Sequence, residues 1–448
     1  MVLTTRVSDY ISETLSNDRI NTELYGKYNV KRGLRNADGS GVLAGLTHVS
    51  EVHGYIINEE ERTSVDGKLF YRGIDIEEII AAAMAEKRFV FEEIVYLLLL
   101  GELPTRERLE GFTAFLGENR RLPRYFRKDS IMSSPSSDIM NKLARSVLTL
   151  YSYDENPEDH SPENVLRQCI ELIARFPTIV AYAYFAKKYY FDNQSLVIHR
   201  PLAEVSTAEN FLALIRPDQK FTHLEAEILD LLLVLHAEHG GGNNSTFTVH
   251  TVSSADTDTY SAIAAGIGSL KGYKHGGANI KVMSMMEDIK QNVKKWDDEV
   301  EVEDYLEKIL KKQAFDGTGL IYGQGHAVYT KSDPRAILLR DKASALAPEK
   351  GLVDEFNLYR LIERLVPTVF KRIKESDKDI CANVDFYSGF VYKMMDIPQE
   401  LYTPLFAVSR VAGWCAHRLE EIVCNNRVIR PAYKCVRKHK AYIPLSQR

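Results

Sequence analysis

The feature that most constrains this chain is the recurrence of apolar residues at spacings of three and four, with almost no two-residue alternation. Leu224, Ile228, Leu231, Leu232 and Leu235 share one helical face, because a turn of about 3.6 residues brings those positions together. The same pattern predicts helix over residues 76–100, ended by Pro104, and over residues 143–150 and 165–185. Strand signal is confined to Thr63-Ser64-Val65 and Leu69-Phe70-Tyr71. These flank Asp66-Gly67, a dipeptide suited to a hairpin turn. The expected fold is therefore all-α, with one minor β-hairpin near residue 65.

At 448 residues and 45% hydrophobic content, the chain is too long and too apolar for a disordered segment, a collagen or a small disulfide scaffold. Its length suggests two or three domains, or one large core with a lobe. The formal charge of -5 does not steer the surface toward nucleic acid or acidic membranes, so an anionic ligand must be held by locally placed cations. Cys169, Cys381, Cys415, Cys424 and Cys435 are scattered without CxxC spacing. That usage suits a reducing compartment and indicates neither a zinc site nor a disulfide framework.

The first residues have no apolar core segment, and Asp9, Glu13 and Asp18 argue against a transit peptide. The densest apolar runs, residues 95–100 and 231–235, are far shorter than a bilayer span. A soluble, cytoplasmic protein is expected. The glycine-rich segment at residues 39–45 has Ala44 where a dinucleotide fingerprint needs glycine, so it reads as a loop. The charged stretch at residues 294–307 reads as a solvated helix face.

Four polar segments interrupt the helical pattern. Residues 235–244 place His236 and His239 at a helix end before Gly240-Gly241-Gly242. A metal pair, hydrogen-bonded cap histidines, or recognition of an anion or carbonyl are all open there. Residues 272–279 place His275-Gly276-Gly277 before a helix starting near Ile280. The positive end of that helix disfavours imidazolium and suits a neutral ring that donates to an oxyanion. In residues 323–336, His326 precedes Asp333-Pro334-Arg335. The imidazole can polarise a carbonyl while the guanidinium forks onto a carboxylate. Asp385, in Asn383-Val384-Asp385-Phe386-Tyr387-Ser388-Gly389, is either a helix cap or a desolvated general base. Arg410, on an apolar helical stretch, and Arg430, before Pro431, are candidate anion clamps.

Together these segments resemble citrate synthase. Gly325-His326-Ala327-Val328-Tyr329 with Asp333-Pro334-Arg335 is similar to the family signature, and His275-Gly276-Gly277-Ala278-Asn279 and residues 383–389 resemble its other catalytic motifs. Asp66-Gly67 with Tyr71-Arg72-Gly73, residues 235–244, and Gly413-Trp414-Cys415-Ala416-His417 match in the family's order. Tyr273-Lys274 replaces a proline-containing pair usual before the first histidine, and Thr330 stands where a basic residue near the CoA phosphates is common.

The resemblance implies a homodimer, or a dimer-based oligomer, with a large helical domain at 1–276 and 390–448 and a small one at 277–389. It implies an acyltransferase that converts acyl to alkyl on transfer, using acetyl-CoA and oxaloacetate, with no cofactor beyond the CoA thioester and no metal. Asp385 would abstract the methyl proton, His275 stabilise the enolate and His326 polarise the ketone. His239, Arg335, Arg410 and Arg430 would hold oxaloacetate and citrate, with Arg430 reaching from the partner subunit. The competing readings are a 2-methylcitrate synthase using propionyl-CoA, a metallohydrolase built on His236 and His239, and a non-catalytic helical scaffold.

Overall fold

The computed structural model describes residues 11, 15, 18–36, 38–58, 61–424 and 427–447. Asp9 and Glu13, weighed above against a leader, lie outside them. A short helix α1 (Glu23–Lys27) precedes strands β1 (Ser50–Asn58), β2 (Glu61–Tyr71) and β3 (Ile74–Asp75), which pair antiparallel in that order. Helices α2 (Ile76–Ala85), α3 (Phe91–Leu100), α4 (Arg106–Glu118), α5 (Ile139–Leu150) and α6 (Pro162–Phe191) follow. Next come α7 (Thr207–Ile215), α8 (His223–His236), α9 (Asn244–Ser253) and α10 (Thr259–Leu270). The remaining long helices are α11 (Ala278–Asn292), α12 (Glu299–Leu310), α13 (Pro334–Glu349), α14 (Val353–Lys374), α15 (Val384–Met394) and α16 (Tyr402–Cys424). The all-α expectation holds.

Capping side chains fix where these helices start. Ser206 with Glu209 and Thr222 with Glu225 form reciprocal capping boxes at α7 and α8. Asn243, Asp333 and Asn383 accept backbone N–H bonds at the starts of α9, α13 and α15. Each such cap is worth about 1 kcal/mol. Two of the caps, Asp333 and Asn383, stand two residues ahead of side chains that the sequence marks for chemistry, Arg335 and Asp385.

Two local expectations are corrected. The helix expected over residues 76–100 is two helices, broken at residues 86–90. Lys87 is left-handed there (φ 53°), and buried Asp230 accepts the N–H groups of Val90 (2.7 Å) and Phe91 (3.2 Å) at the start of α3. A carboxylate supplied by α8 thus satisfies donors that a continuous helix would have used itself. The second correction concerns Asp66-Gly67, which lies inside β2 and not at a turn, the chain reversing between Asn58 and Glu61. The register slips there, with His53 facing Lys68 and Tyr55 facing Ser64, so Gly54 opposes residues 65–67. Glycine is needed at both positions for close approach. A Cβ on Gly54 would stand 2.8 Å from the Val328 carbonyl oxygen, and one on Gly67 would overlap that of Ser332.

Helix α16 is the axis of the core. It packs against α3, α6, α8, α9 and α10, with Trp414, Cys415 and Ala416 fully buried. Gly413 lets its backbone meet the end of α8. The Gly413 N–H donates to Ala237 O (3.2 Å), and a Cβ would overlap Glu238. Helix α6 is long and apolar enough to cross a membrane by composition, but 89% of its apolar window is buried inside the protein, as a core helix requires.

Helices α11–α15 pack mainly on one another, α11 and α13 on α15 and α12 on α14, around the rings of Tyr359, Phe386 and Phe390. Helix α12 buries Val302, Tyr305, Leu306 and Ile309 and turns its charges outward, the solvated face expected for that segment. Helix α13 also touches α8 and β2, which brings the two groups of helices together at the site.

Candidate active site

His236 closes α8, and its carbonyl oxygen accepts the Arg410 Nε–H at 2.6 Å. Arg410 is fully buried on α16, its guanidinium over the Phe406 ring (4.7 Å), and its Nη1 has no hydrogen-bond partner among the described residues. The same is true of the buried Nε2 of His239 and Nδ1 of His236. Burying an unsatisfied polar group costs about 1–3 kcal/mol. A cluster of three such nitrogens is a structure prepared for a ligand. Burial, with the fields of Arg335 and Arg410 added, holds both imidazoles well below their usual range, hence neutral.

His275 lies in the turn before α11, which begins at Ala278. Its Nε2 stands 3.2 Å from Ser245 Oγ, at the N-terminus of α9. Ser245 also accepts from Trp414 Nε1–H (3.1 Å) and lies 2.9 Å from Asn243 Oδ1. Burial, followed by the Arg410 charge, brings His275 down to about 4. The ring is neutral as expected, and those two causes account for it.

His326 carries a stated tautomer. Its Nδ1 accepts two backbone N–H bonds, from Val328 (3.1 Å) and Tyr329 (3.2 Å), so the ring proton sits on Nε2. Burial and then Arg335 lower it to about 4, against Asp333. Its ring meets His239 edge to face, centroids 5.0 Å apart, and stacks on Tyr329 at 4.9 Å. The His326 loop is zipped to the segment entering α15: Gly325 N donates to Cys381 O (2.7 Å), Asn383 N to Gly323 O (2.9 Å), and Asn383 Nδ2 to Gly325 O (2.9 Å). Gly323 is left-handed (φ 77°), and a Cβ there would crowd Phe386.

Asp385 occupies the first turn of α15, and Asn383 is the cap, accepting the Asp385 N–H at 3.0 Å. The capping alternative for Asp385 is thereby removed. Burial pushes its carboxyl up to about 6, against the pull of Arg335 and Arg410. Arg335 differs from expectation. Its Nε and Nη2 fork onto Asp333 (3.0 and 2.7 Å), and Asp333 also accepts Val384 N–H (3.3 Å). The edge assigned to a substrate carboxylate is closed on a protein carboxylate, leaving Nη1 outside that fork.

The electrostatic reach of the two buried guanidiniums joins these residues. Both Arg335 and Arg410 act on His236, His239 and Asp385; Arg410 also acts on His275, and Arg335 on His326. A base of raised pKa, neutral imidazoles and two guanidiniums in one neighbourhood suit proton abstraction beside a carbonyl and recognition of a multiply charged anion. Residues 39–432 match the family described as citrate synthase, C-terminal domain.

The chain belongs to the citrate synthase family. It is a transferase of the class that converts an acyl group to alkyl on transfer. It is 34% identical to a citrate synthase of Synechocystis over 413 residues, covering 91% of this chain and 93% of the relative. It is 32% identical to a 2-methylcitrate synthase of Shewanella oneidensis, covering 85% and 92%. Its fold matches the citrate synthase of Thermoplasma acidophilum, solved with carboxymethyl coenzyme A and oxaloacetate, at TM-score 0.75 and 26% identity over 94% and 99% of the two chains.

Arg430 alone of the marked residues stands apart. It is exposed beyond α16, one residue after Ile429, whose N–H bonds Ser254 Oγ at 3.1 Å. No third donor joins His236 and His239 in a metal-binding group among the described residues. Sequence reading missed Ser245, Asp333 and Asn383 as partners of His275, Arg335 and the His326 loop. The signal for the last two was local, a cap residue one or two positions ahead of a marked side chain.

Proposed function

We propose that the chain condenses acetyl-CoA with oxaloacetate and hydrolyses the resulting citryl-CoA to citrate and CoA. The observation that carries this reading is the buried, unpartnered set Arg410 Nη1 and His239 Nε2, beside a carboxylate whose raised pKa fits a base. Oxaloacetate carboxylates satisfy Arg410, Arg335 Nη1 and His239, and His326 donates from Nε2 to the ketone oxygen. Asp385, about 90% ionised at pH 7 for a pKa about 6, removes a methyl proton of the thioester. His275 donates to the thioester oxygen as the enolate charge develops. For that donation Ser245 turns its one proton from Asn243 Oδ1, to which it donates at 2.9 Å, to His275 Nε2, leaving the ring proton on Nδ1. The enol carbon then attacks the polarised ketone, and water cleaves citryl-CoA.

The domain division at 277–389 belongs to this reading, with closure of the small domain on the large one keeping water out until the carbon–carbon bond forms. So do a homodimer in which Arg430 serves the partner's site, a soluble cytoplasmic enzyme, and a reaction that needs no metal, nucleic acid or membrane. The ligands in the Thermoplasma acidophilum structure support the substrate pair, and the Shewanella relative supports propionyl-CoA as the alternative acyl donor. One methyl group separates the two donors, worth only about 1–3 kcal/mol in a pocket. The test is CoA thiol release with oxaloacetate and either thioester. A higher kcat/KM with acetyl-CoA supports the reading, a higher one with propionyl-CoA replaces it by 2-methylcitrate synthesis, and no release with either rejects both.

A further inference from the structure

Behind the His239 loop, helices α9 and α16 bring together a second group of polar side chains that the reaction does not use. His250 Nε2 faces His417 Nδ1 at 3.0 Å, and Glu420 Oε2 lies 3.7 Å from the same His417 nitrogen. These three donor atoms all lie within 4.8 Å of one another. Tetrahedral donors about 2.0–2.2 Å from a zinc ion stand about 3.4 Å apart, between the two separations seen.

The surroundings are those of a metal site and not of an isolated pair. His417 Nε2 lies 3.1 Å from Glu238 Oε1 without hydrogen-bond geometry, and His250 Nδ1 is hydrogen-bonded to Glu421 Oε2 (3.0 Å). The latter bond orients a ligating histidine and raises its basicity. Glu420 Oε2 is itself buried without a hydrogen-bond partner among the described residues, while Oε1 accepts the His48 N–H at 2.6 Å. Glu238, Glu420 and Glu421 surround the two imidazoles, and Arg410, Arg72 and Arg418 lie near enough to offset their charge. Gly241 leaves one side open. A Cβ there would stand 3.5 Å from His250 Nε2 and 3.6 Å from His417 Cε1, where a water or other fourth ligand has room.

We propose that His250, His417 and Glu420 bind one zinc ion per chain, tying α9 and α16 to the loop that carries His239. Two imidazoles and a single carboxylate suit zinc and disfavour magnesium or calcium, which prefer several oxygen ligands. The ion replaces the proton shared between the two rings. Its place is structural, outside the reacting groups.

The test uses the full-length protein, stripped with chelator and titrated with zinc chloride against a chromophoric competitor, with magnesium chloride as control. One zinc per chain is expected, with a thermal midpoint that rises on zinc addition and not on magnesium addition. His250→Gln and Glu420→Gln should each weaken zinc binding at least about 100-fold, while the zinc-free variants keep CoA-releasing activity and a cooperative melt. Two results overturn the proposal: wild type that takes up no zinc, or uptake unchanged in both variants, which would place the metal on other donors such as exposed Cys424 and Cys435. Because uptake is read without turnover, failure here leaves the assignment of the reaction untouched.

Discussion

Ser245 Oγ stands 3.2 Å from His275 Nε2, so a hydroxyl from the first turn of α9 orients an imidazole held in the loop before α11. Trp414 Nε1–H, donating to the same oxygen from α16, fixes the hydroxyl. Ser245→Ala should lower kcat about 3- to 10-fold, the worth of one net hydrogen bond, with the KM for oxaloacetate unchanged. Steady-state kinetics separate the two parameters. A raised oxaloacetate KM with constant kcat would show that Ser245 serves binding and not His275.

Asp385 gives a prediction about stability as well as rate. Its carboxyl is raised to about 6 by burial, so the stabilising form is the protonated one. That contribution is complete below the unfolded-state value near 4 and is lost as pH rises through about 6. Asp385→Asn should therefore melt higher than wild type at pH 7.5, by up to about 3 kcal/mol of stability, and the gap should close toward pH 4. Parallel melts across pH check this; a variant less stable at every pH would contradict it. The wild-type kcat/KM should fall below pH 6 as the base takes up its proton.

Arg410→Lys removes a side chain that donates to His236 O while presenting a second nitrogen to the site. An ammonium cannot do both from one carbon stem. The KM for oxaloacetate should rise about 30- to 1,000-fold, in line with about 2–4 kcal/mol for a buried charged contact, and the KM for the thioester should change little. Isothermal titration with oxaloacetate alone gives the same comparison without turnover.

Gly67→Ala places a methyl group against the Ser332 carbonyl oxygen, in the segment between His326 and Arg335. Displacement of that segment should cut kcat/KM for oxaloacetate about 100-fold, the usual effect of a shift near 1 Å in a catalytic group. A kinetic assay beside a thermal melt distinguishes this from unfolding.

What could be read from the sequence followed from periodicity and local chemistry. Helices at residues 143–150, 165–185 and 224–235 were legible because apolar residues recur in each at helical spacing, although α6 and α8 are buried nearly all round. His239, His275, His326, Arg335, Asp385 and Arg410 were legible because polar or charged side chains interrupt apolar helices. The break at residues 86–90 was not, since the carboxylate that caps α3 is Asp230, 140 positions from Val90. Asp66-Gly67 misled because its glycine serves close approach of the 328–332 backbone and not a turn. The closed Arg335–Asp333 fork was hidden for a related reason: pairing at i,i+2 depends on the cap geometry of α13, which spacing alone does not convey.

The most direct test of the account is CoA thiol release from acetyl-CoA at saturating oxaloacetate, comparing wild type with Asp385→Asn. The account predicts turnover in wild type and a loss of about 10²–10⁴-fold in the folded variant. Equal rates in the two proteins would remove Asp385 as the base and contradict the mechanism.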